Sequence, residues 1–298
     1  IVFLIYVDLL WPPEHEHLEN PDRFVLMFAP ITRSYSKPFT ADDTRPDSHL
    51  DPFLRNNLEF PRSVGENLAY LREWKKEFKG DSFDFDYHLM WDHYLDPGYM
   101  HVAEVLHADL RDLKALGMNG FMSCQIQRTA MPTGLPLYIL GSMLWNRDRS
   151  LADICREYFE AAFGVDAPAL MQRLDALSDQ FAPGILRGDR DEPPGKRLER
   201  YIKAVKMIDE LLPLVRASEN GSAEGIKASF TYLERHLELS RVLARALAAR
   251  AAENKKNSDR LWRRLRSMAW ETEKEFPAVF DAYFYTKVIG SRLFNENE

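Results

Sequence analysis

The sequence predicts an α/β protein: the C-terminal half of a TIM-like (β/α)8 barrel, four parallel strands, followed by an all-α helical domain. Short apolar runs recur near residues 1–9, 24–32, 83–91 and 118–126, as expected of strands covered on both faces of a parallel sheet. Helical periodicity stands before the third run, at 62–79, and before the fourth, at 99–116. That alternation implies parallel pairing through crossovers. After Pro136 strand patterning stops and only helical periodicity follows.

Each element has its own warrant. Ile1 to Leu9 is the first strand, with Asp8 at its end and Trp11-Pro12-Pro13 terminating it. The loop EHEHLENPDR leads to the second strand, Phe24 to Thr32, which ends on Arg33, Ser34 and Tyr35. Residues 36–61, rich in Pro, Asp and Asn, read as a long loop over a site. Val64, Leu68, Leu71, Trp74 and Phe78 set the helix 62–79, and Gly80 stops it. The third strand, Phe83 to Trp91, the helix 99–116 capped by Gly117, and the fourth strand, Met118 to Ile126, follow. A short helix is expected at Tyr138 to Trp145, with Tyr87 and Trp145 in the core. Ser150 is a credible N-cap for the helix that runs to Gly164. Gly184 to Lys196 reads as a linker before long helices near 196–217, 223–254 and 258–275 and a last one after Pro277. Leu198, Tyr201, Ile202, Val205, Ile208, Leu212 and Val215 make an apolar stripe suited to an antiparallel bundle. The expected division is 1–164 for the barrel half and 165–298 for the helical domain.

Composition excludes several classes. With 298 residues, 45% hydrophobic and 12% aromatic, the chain can bury a large core. A net charge of −7 argues against a general nucleic-acid binder. The basic run Arg241 to Arg266 carries nine Lys/Arg against Glu253 and Asp259 and reads as a solvated helix face. Two cysteines, Cys124 and Cys155, give no disulfide framework. No apolar run reaches the roughly 18 residues of a membrane span. The chain opens in mid-strand, without an initiator Met, and is expected to be part of a longer protein. Four β/α units either continue N-terminally to Ile1 or form an open sheet whose edges are a liability.

Barrel chemistry sits at the carboxyl ends of strands. Those ends supply Tyr6, Asp8, Trp11 and Glu14; Arg33 and Tyr35; Trp91, Asp92, His93 and Tyr94; and Gln125 and Arg128. Aromatic faces stack on sugar C–H surfaces, amides and Arg bind hydroxyls or a carboxylate, and paired carboxylates do acid–base work. Asp92, between Trp91 and His93, is the first candidate acid or base, with Glu14 or Asp8 as its partner. Tyr6, Trp11, Arg33, Tyr35, Trp91, His93, Tyr94, Gln125 and Arg128 are the candidate binding residues. No cofactor is expected. Two readings compete. One is a non-catalytic carbohydrate-binding barrel that keeps the cleft and lacks an acid. The other, third in order, is metal: His15 and His17 share one face of an extended segment, and Asp92 and His93 would complete a hydrolytic zinc site.

The segments IVFLIYVDLLWPP, FVLMFAPITRSY, FDYHLMWDHY, LKALGMNGFMSCQIQR and PTGLPLYILGSMLWNRDRSLADICREYFEAAFG resemble a bacterial family catalogued as domain of unknown function 4838. Its barrel is distantly similar to α-glucuronidases and β-hexosaminidases. The resemblance covers roughly residues 1 to 164. It implies a glycoside-hydrolase-like protein acting on or binding oligo- or polysaccharide, of a kind often found in extracytoplasmic polysaccharide-degrading proteins, with uronic acids among the candidate sugars. The sequence itself leaves the compartment open. It implies as partners the N-terminal barrel half and further carbohydrate-binding modules. Where some relatives carry an acid after the final strand this chain has Cys124-Gln125, so Gln125 is expected only to bind or orient.

Overall fold

The structure, a computed structural model, describes residues 1–39, 50–221 and 223–295. Four short strands, β1 (Val2–Ile5), β2 (Val25–Phe28), β3 (Ser82–Asp86) and β4 (Gly120–Ser123), pair in parallel in sequence order. Each is shorter than its apolar run. After β1 the chain turns at Val7, φ 45°, into a 3₁₀ turn, Val7–Leu10, so Asp8 is exposed on a turn and not held in a strand. After β3 it turns at Tyr87, and Asp92–Leu95 form a second 3₁₀ turn.

Pleating divides the sheet into two unlike faces. Ile5, Leu26 and Phe28 join the main core with Leu68 and Leu71 of α1 (Val64–Glu77) and Leu106 and Leu110 of α2 (Met100–Asp112). Phe3 packs edge-on to Phe78, and Trp74 Nε1 donates to Leu10 O at 2.8 Å, which seats α1 on β1. The α1 N-terminus closes as a capping box between Ser63 and Glu66. The opposite face sets Leu4, Met27 and Phe83 side by side, with Phe85 beside Met122. Val2 is 55% exposed and Met122 50%. The buried part of this face is a small separate cluster around Ala29, Tyr35 and Tyr87 that contains no α-helical residue. A parallel sheet ordinarily has both faces covered. Here one is open.

The helical part starts with α3 (Leu135–Trp145) and α4 (Leu151–Phe163), where Ser150 Oγ accepts from Asp153 N at 3.1 Å as the cap. Trp145, expected in the core, is 93% exposed at the end of α3, whereas Tyr87 is buried. Next comes α5 (Ala167–Phe181), and the start of the expected linker forms a one-turn helix, α6 (Pro183–Arg187). Proline at its start and Gly188, at φ 90°, at its end define that turn. Then come α7 (Pro194–Gly221), α8 (Glu224–Ala251), α9 (Lys255–Glu275) and α10 (Ala282–Leu293). Arg216 pairs with Glu234 and Glu238, while Arg241 and Arg245 pair with Asp209, the register of antiparallel α7 and α8. Of the predicted stripe, Tyr201, Ile208, Leu212 and Val215 are buried and Ile202 is not. The core is contiguous from Ile5 through Phe163 and Leu174 to Leu293, crossing residue 164 without a break.

Candidate functional site

Two arrangements meet at the carboxyl ends of the strands. The first is a buried charge network. Arg33, just after β2, has no exposed surface and donates Nη1 to Asp86 at 3.0 Å and Nη2 to Asp109 of α2 at 2.6 Å. Its guanidinium lies 3.9 Å from the Phe39 ring centre and 4.8 Å from that of Tyr35. Asp86 also accepts from Tyr35 OH and from Tyr87 N at 2.9 Å, and Asp109 from Phe39 N at 2.7 Å. His88 Nε2 lies 2.7 Å from Asp109 Oδ2. Burial works against the Arg33 charge, but Asp109 and Asp86 outweigh it and raise its pKa. Burial also works against the Asp86 carboxylate, and Arg33 overcomes it, so Asp86 stays ionised. Asp84, two residues earlier on the same strand face, lacks such a partner. Burial first and the Asp86 charge second push its pKa far up, which keeps it protonated.

Asp86, His88 and Asp109 bring three ligand atoms within 4.8 Å of one another, a donor set that suits a cation. Arg33 already lies on both carboxylates and fills that role. The three elements are thereby tied together at one point. This network is a clasp.

The second arrangement is an open cleft of ≈ 1060 Å³ above the strand ends. Ile31 and Thr32 after β2 and Trp91 after β3 form its floor side; Asp51, Glu59, Phe60 and Arg62 come from the described part of the long loop; Arg187, Asp189 and Arg292 come from the helical part. Residues 40–49 of that loop lie outside the described residues. Trp91 stacks on Tyr87, centroids 5.5 Å apart and planes 19° from parallel, and stays half-exposed. Arg187 is the element that ties cleft to sheet. It donates to Asp92 and to Arg33 O, and its guanidinium stands 5.5 Å from the Tyr35 ring. Asp189, two residues on, accepts from Ser34 and, at 2.7 Å, from Ser36.

Comparison with family models, with characterised proteins and with solved structures gives no match. The site therefore rests on geometry.

The structure distributes the predicted residues unevenly. Trp91 lines the cleft. Asp92 is buried next to it, with Oδ2 on Arg187 and Oδ1 without a partner. Glu14 and Asp8, its expected carboxylate partners, are exposed on the loops after β1 and do not line the cleft. Trp11 donates Nε1 to Asp51 O at 2.5 Å and packs edge-on to Phe60 and Tyr70, so it props the loop that walls the cleft. Tyr6 lies half-buried on the open sheet face. Arg33 and Tyr35 belong to the clasp, inside the protein. His93 has no exposed surface; it packs on Tyr94 and Tyr99, and burial lowers its pKa to about 3. Tyr94 packs edge-on to Tyr285. Neither presents surface to a ligand, because the turn after Asp92 folds them under α10 rather than into the cleft. Gln125 is half-buried and accepts from Ser123 Oγ at 3.1 Å. Arg128 pairs with Glu273 and, at 2.7 Å, with Asp281, bracing β4 to the last two helices. His15 lies 3.9 Å from exposed Glu14, and His17 3.3 Å from Glu77 of α1. The two imidazoles are engaged apart, and the metal-competent donor set does not include them.

Sequence reasoning missed Arg187, Asp84, Asp86, His88 and Asp109. One signal was present: SFDFD places an acid at every second position of an apolar strand, which puts two carboxylates on one face. Arg187 had none, since its segment reads as a linker.

Proposed function

We propose that this chain is the C-terminal part of a glycoside-hydrolase-like barrel and that its cleft binds an oligosaccharide. The observation that carries the reading is the cleft itself. A half-exposed indole, fixed from behind by Tyr87, faces a space bounded by guanidinium and carboxylate groups, the combination that stacks a pyranose and binds its hydroxyls. The sheet face that no described helix covers and the edge strands β1 and β4 support four further β/α units as the covering partner.

Within that reading geometry favours binding over hydrolysis. Asp92 and Asp189 both engage the Arg187 guanidinium, Asp189 Oδ1 at 3.4 Å from Nε, so the two carboxylates gathered beside the cleft neutralise one arginine. Retaining and inverting glycosidases instead keep two at about 5 Å or 6.5–9.5 Å for acid–base or nucleophilic work. Asp92 positions Arg187 at the cleft. Hydrolysis is the second reading, favoured by the unpartnered, buried Oδ1 of Asp92 next to the cleft wall. Calorimetric titration with neutral and uronate-containing oligosaccharides tests both. We expect Trp91→Ala to weaken binding at least about tenfold, the loss of one stacking contact near 1.4 kcal/mol. Undiminished binding in that variant, or no saccharide bound by the parent, overturns the assignment. Asp92→Asn that keeps binding but loses turnover would move Asp92 from positioning to acid–base work.

A further inference from the structure

A second pocket, ≈ 410 Å³, lies where the start of α7, the end of α8, α6 and the end of α10 converge. Its lining brings Arg187, Arg197, Arg250 and Arg292 together against a single acid, Glu253. Arg187 is engaged by Asp92. Arg197, Arg250 and Arg292 have no ion-pair partner among the described residues. The concentration is unexpected in a chain of net charge −7, in which surface arginines such as Arg216 and Arg241 do find acids.

Arg197 supplies a second, separate observation. Its Nε is buried and makes no hydrogen bond. A buried guanidinium N–H without an acceptor costs free energy that an arriving oxygen would recover. Around it the pocket wall is apolar, from Tyr201, Leu247 and Leu293, which lowers the local dielectric and strengthens any anion contact made there. Arg250 also lies against a ring, its guanidinium 6.0 Å from the Phe294 centroid, which helps hold its fork in place. Guanidinium forks match tetrahedral oxyanions better than they match chloride, because two parallel N–H groups engage two oxygens at once.

We infer that the α6–α7–α8–α10 pocket is an oxyanion site that takes a sulfate or phosphate group through Arg197, Arg250 and Arg292. The pocket shares Arg187, Gly188 and Arg292 with the cleft, so the site adjoins the cleft along one rim. It does not rest on the saccharide reading, and its probe contains no sugar.

The test is calorimetric titration of the full chain with sodium sulfate and, separately, sodium phosphate, with sodium chloride at matched ionic strength as the reference. We expect saturable binding of at least one oxyanion, absent with chloride; the two titrations show which is preferred. Arg197→Gln with Arg250→Gln should weaken it at least about tenfold. The exposed Arg264→Gln, outside the pocket, should leave it unchanged. Thermal melts without added anion verify that both variants fold. Absence of saturable binding by either oxyanion, equal affinity in the folded double variant, or an equal loss in Arg264→Gln overturns the inference. Saccharide binding that survives in the double variant leaves the cleft reading standing whichever way this result falls.

Discussion

At the residue scale, burial decides which polar side chains work and which only pack. Arg33 reads in sequence as a substrate-binding arginine at a strand end, yet it donates four hydrogen bonds to protein acceptors: Asp86, Asp109 and the carbonyls of Ser34 and Lys37. His93 is the clearer case for measurement. Both its ring nitrogens are buried without partners, and its pKa falls to about 3 because burial disfavours the imidazolium. His236, which accepts no charge inside the bundle, falls to about 4 for the same first cause, opposed by its hydrogen bond to Pro97 O. The sign follows directly. An unfolded histidine protonates below about pH 6.5 while the folded one stays neutral, so stability is full above that pH and is lost as pH falls toward the folded values. Each site contributes a slope of up to about 1.4 kcal/mol per pH unit. His93→Phe keeps the ring and removes both orphan nitrogens. Urea melts between pH 7 and about pH 4.5 should show it more stable than the parent, with the advantage growing as pH falls. An advantage that is constant with pH would mean that His93 titrates normally.

At the element scale, the segment after β3 is held by close backbone approach. A Cβ on Gly98 would stand 2.1 Å from Leu174 O and 2.2 Å from Ser178 Oγ, both in α5. Ser178 Oγ in turn donates to Asp96 at 2.5 Å and accepts from Met100 N at 3.3 Å, so α5 docks on the turn that starts α2. Gly141, in α3, meets nothing within 4 Å. Opposite outcomes follow. Gly98→Ala should destabilise by about 2 kcal/mol or more through forced separation of α5 from the turn. Gly141→Ala should stabilise by roughly 0.5–1 kcal/mol by removing a helix-interior glycine. Denaturant midpoints of the two variants check both signs. The same scale explains the one-turn α6. It is too short to be stable alone, and Ile185 and Leu186 in the core, together with Arg187 on Asp92, hold it there.

At the scale of the whole molecule, the described helices cover the sheet on one side only. Met122 at 50% and Val2 at 55% exposure flank Leu4, Phe83 and Phe85 on a face that no described helix covers. Contiguous apolar surface of that kind marks an interface. The 298-residue chain should bind an environment-sensitive hydrophobic dye while still cooperatively folded. Met122→Lys should reduce the dye signal and change stability by less than about 0.5 kcal/mol, as a substitution at a solvated position does. A larger loss of stability, or an unchanged dye signal, would show that the face is packed. The bundle, in contrast, is closed by its own ion pairs and core, from Arg216 and Glu234 on α7 and α8 to Arg235 and Glu275 on α8 and α9.

How much was legible follows from what kind of signal each feature leaves. Apolar runs and helical periodicity are local, so the four strands, the helices around 64–77 and 100–112, the Ser150 cap and the long helices are all present in the structure, with shifted ends. The ends moved because Val7, Asp86 and Ser123 stop sheet pairing where their backbones and polar groups find other partners. What the sequence by itself determined is the alternation of elements, the parallel order and the wealth of aromatic and charged groups at strand ends. The tertiary structure alone decided which of those groups line the cleft and which turn inward. Arg33 turns inward because two acids on separate elements, Asp86 and Asp109, converge on it, and Arg187 reaches Asp92 across 95 positions of chain. Long-range pairing of charges has no period and no spacing to read. It exists only once burial has made an unpaired charge too costly to leave.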